Sequence, residues 1–387
     1  MNFKPLKQIL VEKITNSFEG RITFAQYMAL VLYHPEYGYY NSPEIVIGKG
    51  GDFFTSSSLG QDFGELLAIQ LHQMWQNLGC PNPFYLVEMG AGNGQLAQDI
   101  LNYFQFENNQ LLIKALKYII IEQSPALAIA QKKLLKSFTA FDLTWKTLSD
   151  IPDDSVVGCF FSNELVDAFP VHLVTKESGR LQEVYISLDR EELTEIIYPI
   201  SSDQISQYFD LVKIDLSDPQ YPSNYRTEVN LNALNWLYIV SAKLRRGYIL
   251  TIDYGYPANK YYRPSRDRGT LQCYFQHRRH NNPYANLGYQ DITTHVDFTA
   301  LEVQGESCNL ETIGFTQQGL FLMALGLGDR LNDLSSGKYS ISQIFQRRDA
   351  LHQLIDPTGL GNFGVLIQGK NLTKSEKFLK GLTIPTI

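Results

Sequence analysis

Cysteine is scarce in this chain. The four in 387 residues, Cys80, Cys159, Cys273 and Cys308, never approach a CxxC spacing. That excludes a zinc ribbon and a disulfide framework, and fits a compartment that keeps thiols reduced. Positive charge is also short: 33 lysines and arginines against 40 aspartates and glutamates leave a net charge of −7. A broad nucleic-acid-binding surface is therefore not expected. No apolar run reaches the length of a membrane span. The opening MNFKPLKQILVEKITNS has neither a signal-peptide core nor an Arg/Ser-rich transit character, and reads as an amphipathic helix. The expectation is a cytoplasmic protein with no membrane insertion, no nucleic-acid partner and no metal. Internal repeats and low-complexity tracts are absent too.

What is present is an ordinary globular composition, 44% hydrophobic and 19% charged, with a 12% aromatic load. Up to about residue 82 the pattern is helical. Thr23 and Gln26 form a capping box before TFAQYMALVL, and Ser58 and Gln61 a second one before LGQDFGELLAIQLHQMWQNL. From Phe84 buried strands alternate with helices: FYLVEMG, KYIIIEQS, VGCFFSNELVD, GYILTIDYG, ETIGF and FGVLIQG. Ser124 and Pro125 supply the N-cap and first position of PALAIAQKKLL. The reading is an α/β doubly wound, Rossmann-like sheet over residues 83–387, preceded by an N-terminal helical module over 1–82. Two insertions interrupt it. Residues 171–225 begin with a hairpin turning at Ser178-Gly179, and residues 256–310 form a long aromatic stretch of the kind that is functional when ordered.

The segment LVEMGAGNGQLA sets the ligand question. Gly90 and Gly92 fit a dinucleotide fingerprint, but its third glycine position is Gln95, and no Lys-Ser or Lys-Thr follows to make a P-loop. Glu88, at the carboxyl edge of the strand, would repel a pyrophosphate a few ångström away. It favours a ligand with positive charge, such as the ammonium and sulfonium of S-adenosyl-L-methionine. Gly90, Gly92 and Gly94 let backbone approach that ligand closely. Glu122 ends the second strand, where doubly wound folds place the acid that binds ribose hydroxyls. The bland readings are a tight strand–helix turn for the glycines and a solvated strand end for Glu122.

A second group lies at the next strand tip, SNELVDAFP. Asn163, Glu164 and Asp167 either face the acceptor of a transferred methyl group or cap the turn before Pro170. Asp253 ends a further strand. Asp52 in GGDFFTSSS either closes over the cofactor or makes a turn, and Asp142 in AFDL either lies near the adenine or caps an element. His277 and His280 are read as an exposed basic loop, a substrate rim or a proton acceptor, and His295 as a catalytic residue or an ordered histidine that fixes a loop.

Taken together, EMGAGNG, SNELVDAFPVH, GDFFTSSSLGQDFGE and GYQDITTHVDF resemble the MidA family of methyltransferases, whose mitochondrial members are complex I assembly-factor arginine methyltransferases. The likeness runs from YHPEYGYY to the last strand. EMGAGNG alone is generic, whereas NELVDAFP and HVDF are specific. The resemblance implies a class I methyltransferase fold, S-adenosyl-L-methionine as donor, and a protein substrate. The substrate would be an arginine of a core complex I-like subunit, taken to symmetric dimethylarginine. Two rivals stand beside it: an NAD-dependent oxidoreductase, disfavoured by Glu88 and Gln95, and a non-catalytic assembly protein on the same fold.

Overall fold

Six apolar runs read from the sequence become strands of one central sheet in the computed structural model, which describes residues 4–42, 56–177, 179–276 and 278–383. A seventh strand, unforeseen, joins them at an edge. In chain order they are β1 (Phe84–Met89), β2 (Leu116–Ile121), β3 (Asp142–Lys146), β4 (Val156–Asn163), β5 (Leu244–Asp253), β6 (Glu311–Gln317) and β7 (Gly364–Lys370). Their spatial order is β3-β2-β1-β4-β5-β7-β6. The first five run parallel, and β7 is antiparallel to both β5 and β6. The order reverses between β1 and β4, which opens a crevice at their carboxyl ends.

Both faces of the sheet's centre are covered, so its central strands are largely apolar rather than alternating, while the edge strands β3 and β6 are half-exposed. On one face Leu86, Tyr118 and Phe161 pack against Leu67, Leu71, Ile100 and Phe104 of helices Gln61–Asn77 and Gln95–Glu107. On the other, Val87, Phe160 and Ile249 meet Trp236, Leu237 and Leu301 of helices Leu231–Lys243 and Phe298–Ser307. The capping box of Thr23 and Gln26 forms as expected. The second one does not: helix Gln61–Asn77 is capped by Gly60, and residues 56–58 make a separate 3-10 turn.

The first insertion builds a second sheet. Strands His172–Glu177 and Arg180–Asp189 form the expected hairpin, joined by Glu192–Tyr198, Arg226–Val229 and the two-residue strand Ile22–Thr23. Helices Lys4–Thr15 and Phe24–Tyr33 pack on it through Leu10, Phe24 and Met28. Packing thus groups residues 4–33 with the first insertion and residues 61–77 with the central sheet, rather than joining 1–82 in one helical module. The second insertion is more regular than its sequence suggests. Strands Arg278–His280, Gln272–Phe275 and Asp291–Thr293 form a small antiparallel sheet beside the crevice.

Candidate functional site

The chain turns sharply at the carboxyl end of β1. Gly90, Gly92 and Gly94 all have positive φ, at 70°, 55° and 88°, in the region that only glycine enters freely. The helix Gln95–Glu107 starts directly after them. Glu88 is buried and accepts a 2.6 Å hydrogen bond from Tyr118 Oη on β2. Burial raises its pKa to about 7, partly offset by that bond. Glu122 accepts from the Ser124 amide at 2.9 Å and from Gln131 Nε2 at 2.9 Å. Its pKa is raised, again mainly by burial.

Gln131 is a residue that sequence reasoning missed. It is fully buried on helix Pro125–Leu134, donates to the Gly92 carbonyl at 2.8 Å as well as to Glu122, and accepts from Trp145 Nε1 at 2.9 Å. One amide side chain therefore ties the glycine loop, the acid at the tip of β2 and β3 together. Only its place on a helix after Glu122 was visible beforehand.

At the tip of β4, Glu164 takes φ of 52°, a backbone state costly for a non-glycine residue. Its amide donates to Ile252 O, and its Oε1 accepts from the Ser56 amide at 3.0 Å and Asn163 Nδ2 at 3.1 Å. Burial raises the Glu164 carboxyl to about 8 and that of Asp167 to about 6. Asp167 Oδ1 and Asn163 Oδ1 are buried without a hydrogen-bond partner. The turn-capping task is done by Asp253 at the end of β5. Its Oδ2 accepts from the amides of Leu165, Val166 and Asp167 at 3.2, 2.9 and 3.3 Å. Asp253 is wholly buried and held well above the usual carboxyl range by burial and by Asp167 and Glu164. With the main cap supplied from another strand, Glu164 is not needed for it, while the Asp167 carboxyl keeps hydrogen bonds from Tyr254 and the Ala168 amide.

These two carboxyl groups open into a cavity of about 520 Å³. Its other walls come from the residues after β5 (Tyr254, Tyr256), from the second insertion (Tyr274, Asp291, His295) and from Phe363 before β7. Asp291 is buried and receives Tyr40 Oη at 2.9 Å. Tyr33 Oη donates to Ala168 O at 2.8 Å, so the YHPEYGYY segment braces the site from behind. His295 stacks on Tyr256 at 5.1 Å and meets Tyr254 edge-on. Burial lowers its pKa to about 4, with Arg266 next in effect.

Two expected residues fall elsewhere. Asp142 begins β3 at the end opposite the glycine loop and pairs with Lys117, the residue beside it in register. Four residues of strand, roughly 13 Å, separate it from the carboxyl edge of the sheet, too far for a contact with an adenine bound there. Asp52 and His277 lie outside the described residues. His280 binds the Asn282 amide and does not line the cavity. Among the described residues no group of three metal-ligating side chains occurs, and no helix is long and apolar enough to cross a membrane.

Residues 66–316 match a family model described as "putative S-adenosyl-L-methionine-dependent methyltransferase". The chain is 29% identical over 371 residues to the mitochondrial protein arginine methyltransferase NDUFAF7 homolog of Drosophila melanogaster, covering 88% of this chain and 80% of that one. It is 26% identical over 401 residues to its Homo sapiens counterpart, covering 95% and 84%. A solved structure from Burkholderia thailandensis, bound to S-adenosyl-homocysteine, superposes with a TM-score of 0.85 at 28% identity over 98% of this chain and 94% of that one. The cytoplasmic expectation is corrected by these comparisons, since the curated relatives are named mitochondrial. Scattered reduced cysteines describe a redox environment, not an address.

Proposed function

Because the chain belongs to a family of S-adenosyl-L-methionine-dependent methyltransferases, we propose that it transfers the methyl group to an arginine side chain of a protein. The carrying observation is the pair Glu164 and Asp167, which line one cavity while Asp253 supplies the main cap of their turn. Relatives named protein arginine methyltransferases support the reading, and the resemblance makes a core complex I-like subunit the acceptor to try first.

The crevice suits the donor on its own geometry. Gly90 to Gly94 bring backbone close, and a Cβ on Gly90 would sit 2.7 Å from Leu165 Cδ1. Glu122 keeps acceptor capacity for a ribose hydroxyl beyond its bonds to Ser124, Gln131 and the Gln123 amide, and Glu88 supplies a carboxyl toward positive charge. The donor contributes an electrophilic methyl carbon. This chain's residues do the rest: Glu164 and Asp167 hold the guanidinium and aim one nitrogen, and Tyr254, Tyr256 and Phe363 shield it from water. One proton must leave the nitrogen as its new bond forms, and Glu164 is placed to accept it. Incubating the protein with labelled donor and lysate from cells lacking it should label a discrete protein. No protein label, with label instead in small molecules, would overturn the reading.

Two further outcomes follow for the donor side. Glu122→Ala should weaken S-adenosyl-L-methionine binding by roughly 1.5–3 kcal/mol, the usual worth of hydrogen bonds to a charged group, or about ten- to a hundredfold. Calorimetry with unchanged affinity would remove Glu122 from the ribose. Glu88 gives a pH signature. Its carboxyl is raised to about 7, so it is protonated at pH 6, and cationic donor pulls it toward the ionised form. Donor binding then releases a proton, so affinity climbs with pH by up to about tenfold per unit below about pH 7 and levels off above it. S-adenosyl-homocysteine lacks the sulfonium charge and should show a shallower slope. The ligand-free fold runs the other way: Glu88 contributes fully below about pH 4.5, and that contribution is lost as pH rises through about 7. Equal, flat profiles for the two ligands would contradict a Glu88 facing the donor's charge.

A further inference from the structure

The cavity is not uniformly acidic. Glu164, Asp167 and Asp291 line one part, and Arg279 lines it as well. Arg279 sits on strand Arg278–His280 opposite Tyr274 in register, and both side chains reach the cavity. Its neighbours Arg278 and Phe275, the next pair in register, do not, as the alternation of side chains along a strand requires. Arg279 is exposed and makes no ion pair among the described residues. A second guanidinium comes in from another element: Arg266 lies 4.4 Å over the Tyr256 ring, on which His295 stacks. The carbonyls of Lys260 and Tyr261 hold it there. Both arginines depress the His295 imidazole, which puts them at the same corner.

An exposed guanidinium on the wall of this cavity repels an incoming cation unless something negative arrives with that cation. In a chain of net charge −7, it does not follow from a generally basic surface. We propose that the acceptor segment carries an aspartate or glutamate near its acceptor arginine, and that Arg279, backed by Arg266, reads that carboxylate. The spacing is within about four residues, roughly 13 Å of extended chain. The inference rests on the protein-arginine reading and makes it more specific. A guanidinium enters the acidic part while its acidic neighbour docks on the arginine corner, so charge on the two partners is matched in register.

Fluorescent peptides test it, with S-adenosyl-homocysteine present to fill the donor crevice. One peptide has a central arginine flanked by aspartates, a second the same arginine flanked by lysines, and a third the aspartate flanks with glutamine at the centre. By anisotropy the first should bind at least about tenfold more tightly than the second. Arg279→Glu should reverse that order. Arg278→Glu makes the same charge change on the opposite face and should stay within about twofold of wild type. Equal binding of the two arginine peptides, the same loss in both variants, or no binding up to roughly millimolar concentration would overturn the proposal. So would free arginine competing as well as the first peptide, since the corner would then serve an amino-acid carboxylate. The third peptide reports on the underlying reading alone: if it binds as well as the first, the guanidinium site is wrong, while the flank comparison still judges Arg279.

Discussion

Glu164→Gln should bind S-adenosyl-L-methionine as the wild type does and turn over on the order of 10²–10⁴-fold more slowly, the range for losing a positioned acid–base group. Glutamine keeps the size of the side chain, and its amide oxygen can still accept from the Ser56 amide and Asn163. What goes is the carboxyl group that stands at about 8 in the empty site, ionises beside a bound guanidinium to hold it, and then takes its proton. The left-handed backbone at Glu164, with φ of 52°, is unchanged by the swap, so strain is not altered. Asp167→Asn should act in the same direction without adding fully, because the two carboxyls serve one cation. Asp253 offers the contrast. Its oxygen holds three backbone amides of the turn, so Asp253→Ala should lower the melting temperature as well as the rate. Near-normal turnover per folded molecule in Glu164→Gln would move the search for the proton acceptor to Asp291 and His295.

Gly92→Val should abolish measurable donor binding. A β-branched residue at φ of 55° is a true outlier, because its branch crowds the neighbouring backbone. To escape, the loop must rotate, and that pulls the Gly92 carbonyl away from Gln131. Gln131 then lets go of Glu122, so the loop and the acid fail together. The central sheet is buried on both faces by helices anchored elsewhere, and circular dichroism should show helical content largely intact. Valine at 92 with wild-type affinity would mean the loop is only a turn.

How much of this was legible beforehand follows sequence distance. Glu88, the three glycines and the helix after them lie within a dozen residues, and the strand-then-glycine pattern carries its own meaning. Glu122 was legible because it closes an apolar run. Asp142 was misplaced because DLTWK is a short edge strand of half-exposed residues. Without recognising that strand, its first residue could not be told from its last. The capping role of Asp253 spans 87 residues to Val166, and the Tyr40–Asp291 bond spans 251. No local pattern encodes such partners. The second capping box failed for a different reason: Gly60, with φ of 146°, turns the chain so that the helix begins after it. The 256–310 stretch was singled out by length and aromatics alone, and it does line the cavity, but its small sheet has strands too short to betray a period.

The measurement that bears most directly on the account is the chemical identity of the labelled residue. Protein methylated with labelled S-adenosyl-L-methionine should be hydrolysed to amino acids and separated against methylated arginine standards. The account predicts that the label elutes with a methylated arginine, and that Glu164→Gln removes most of it while the donor still binds. Label in methyl-lysine, or as a base-labile carboxyl ester, would contradict an arginine acceptor held by Glu164 and Asp167.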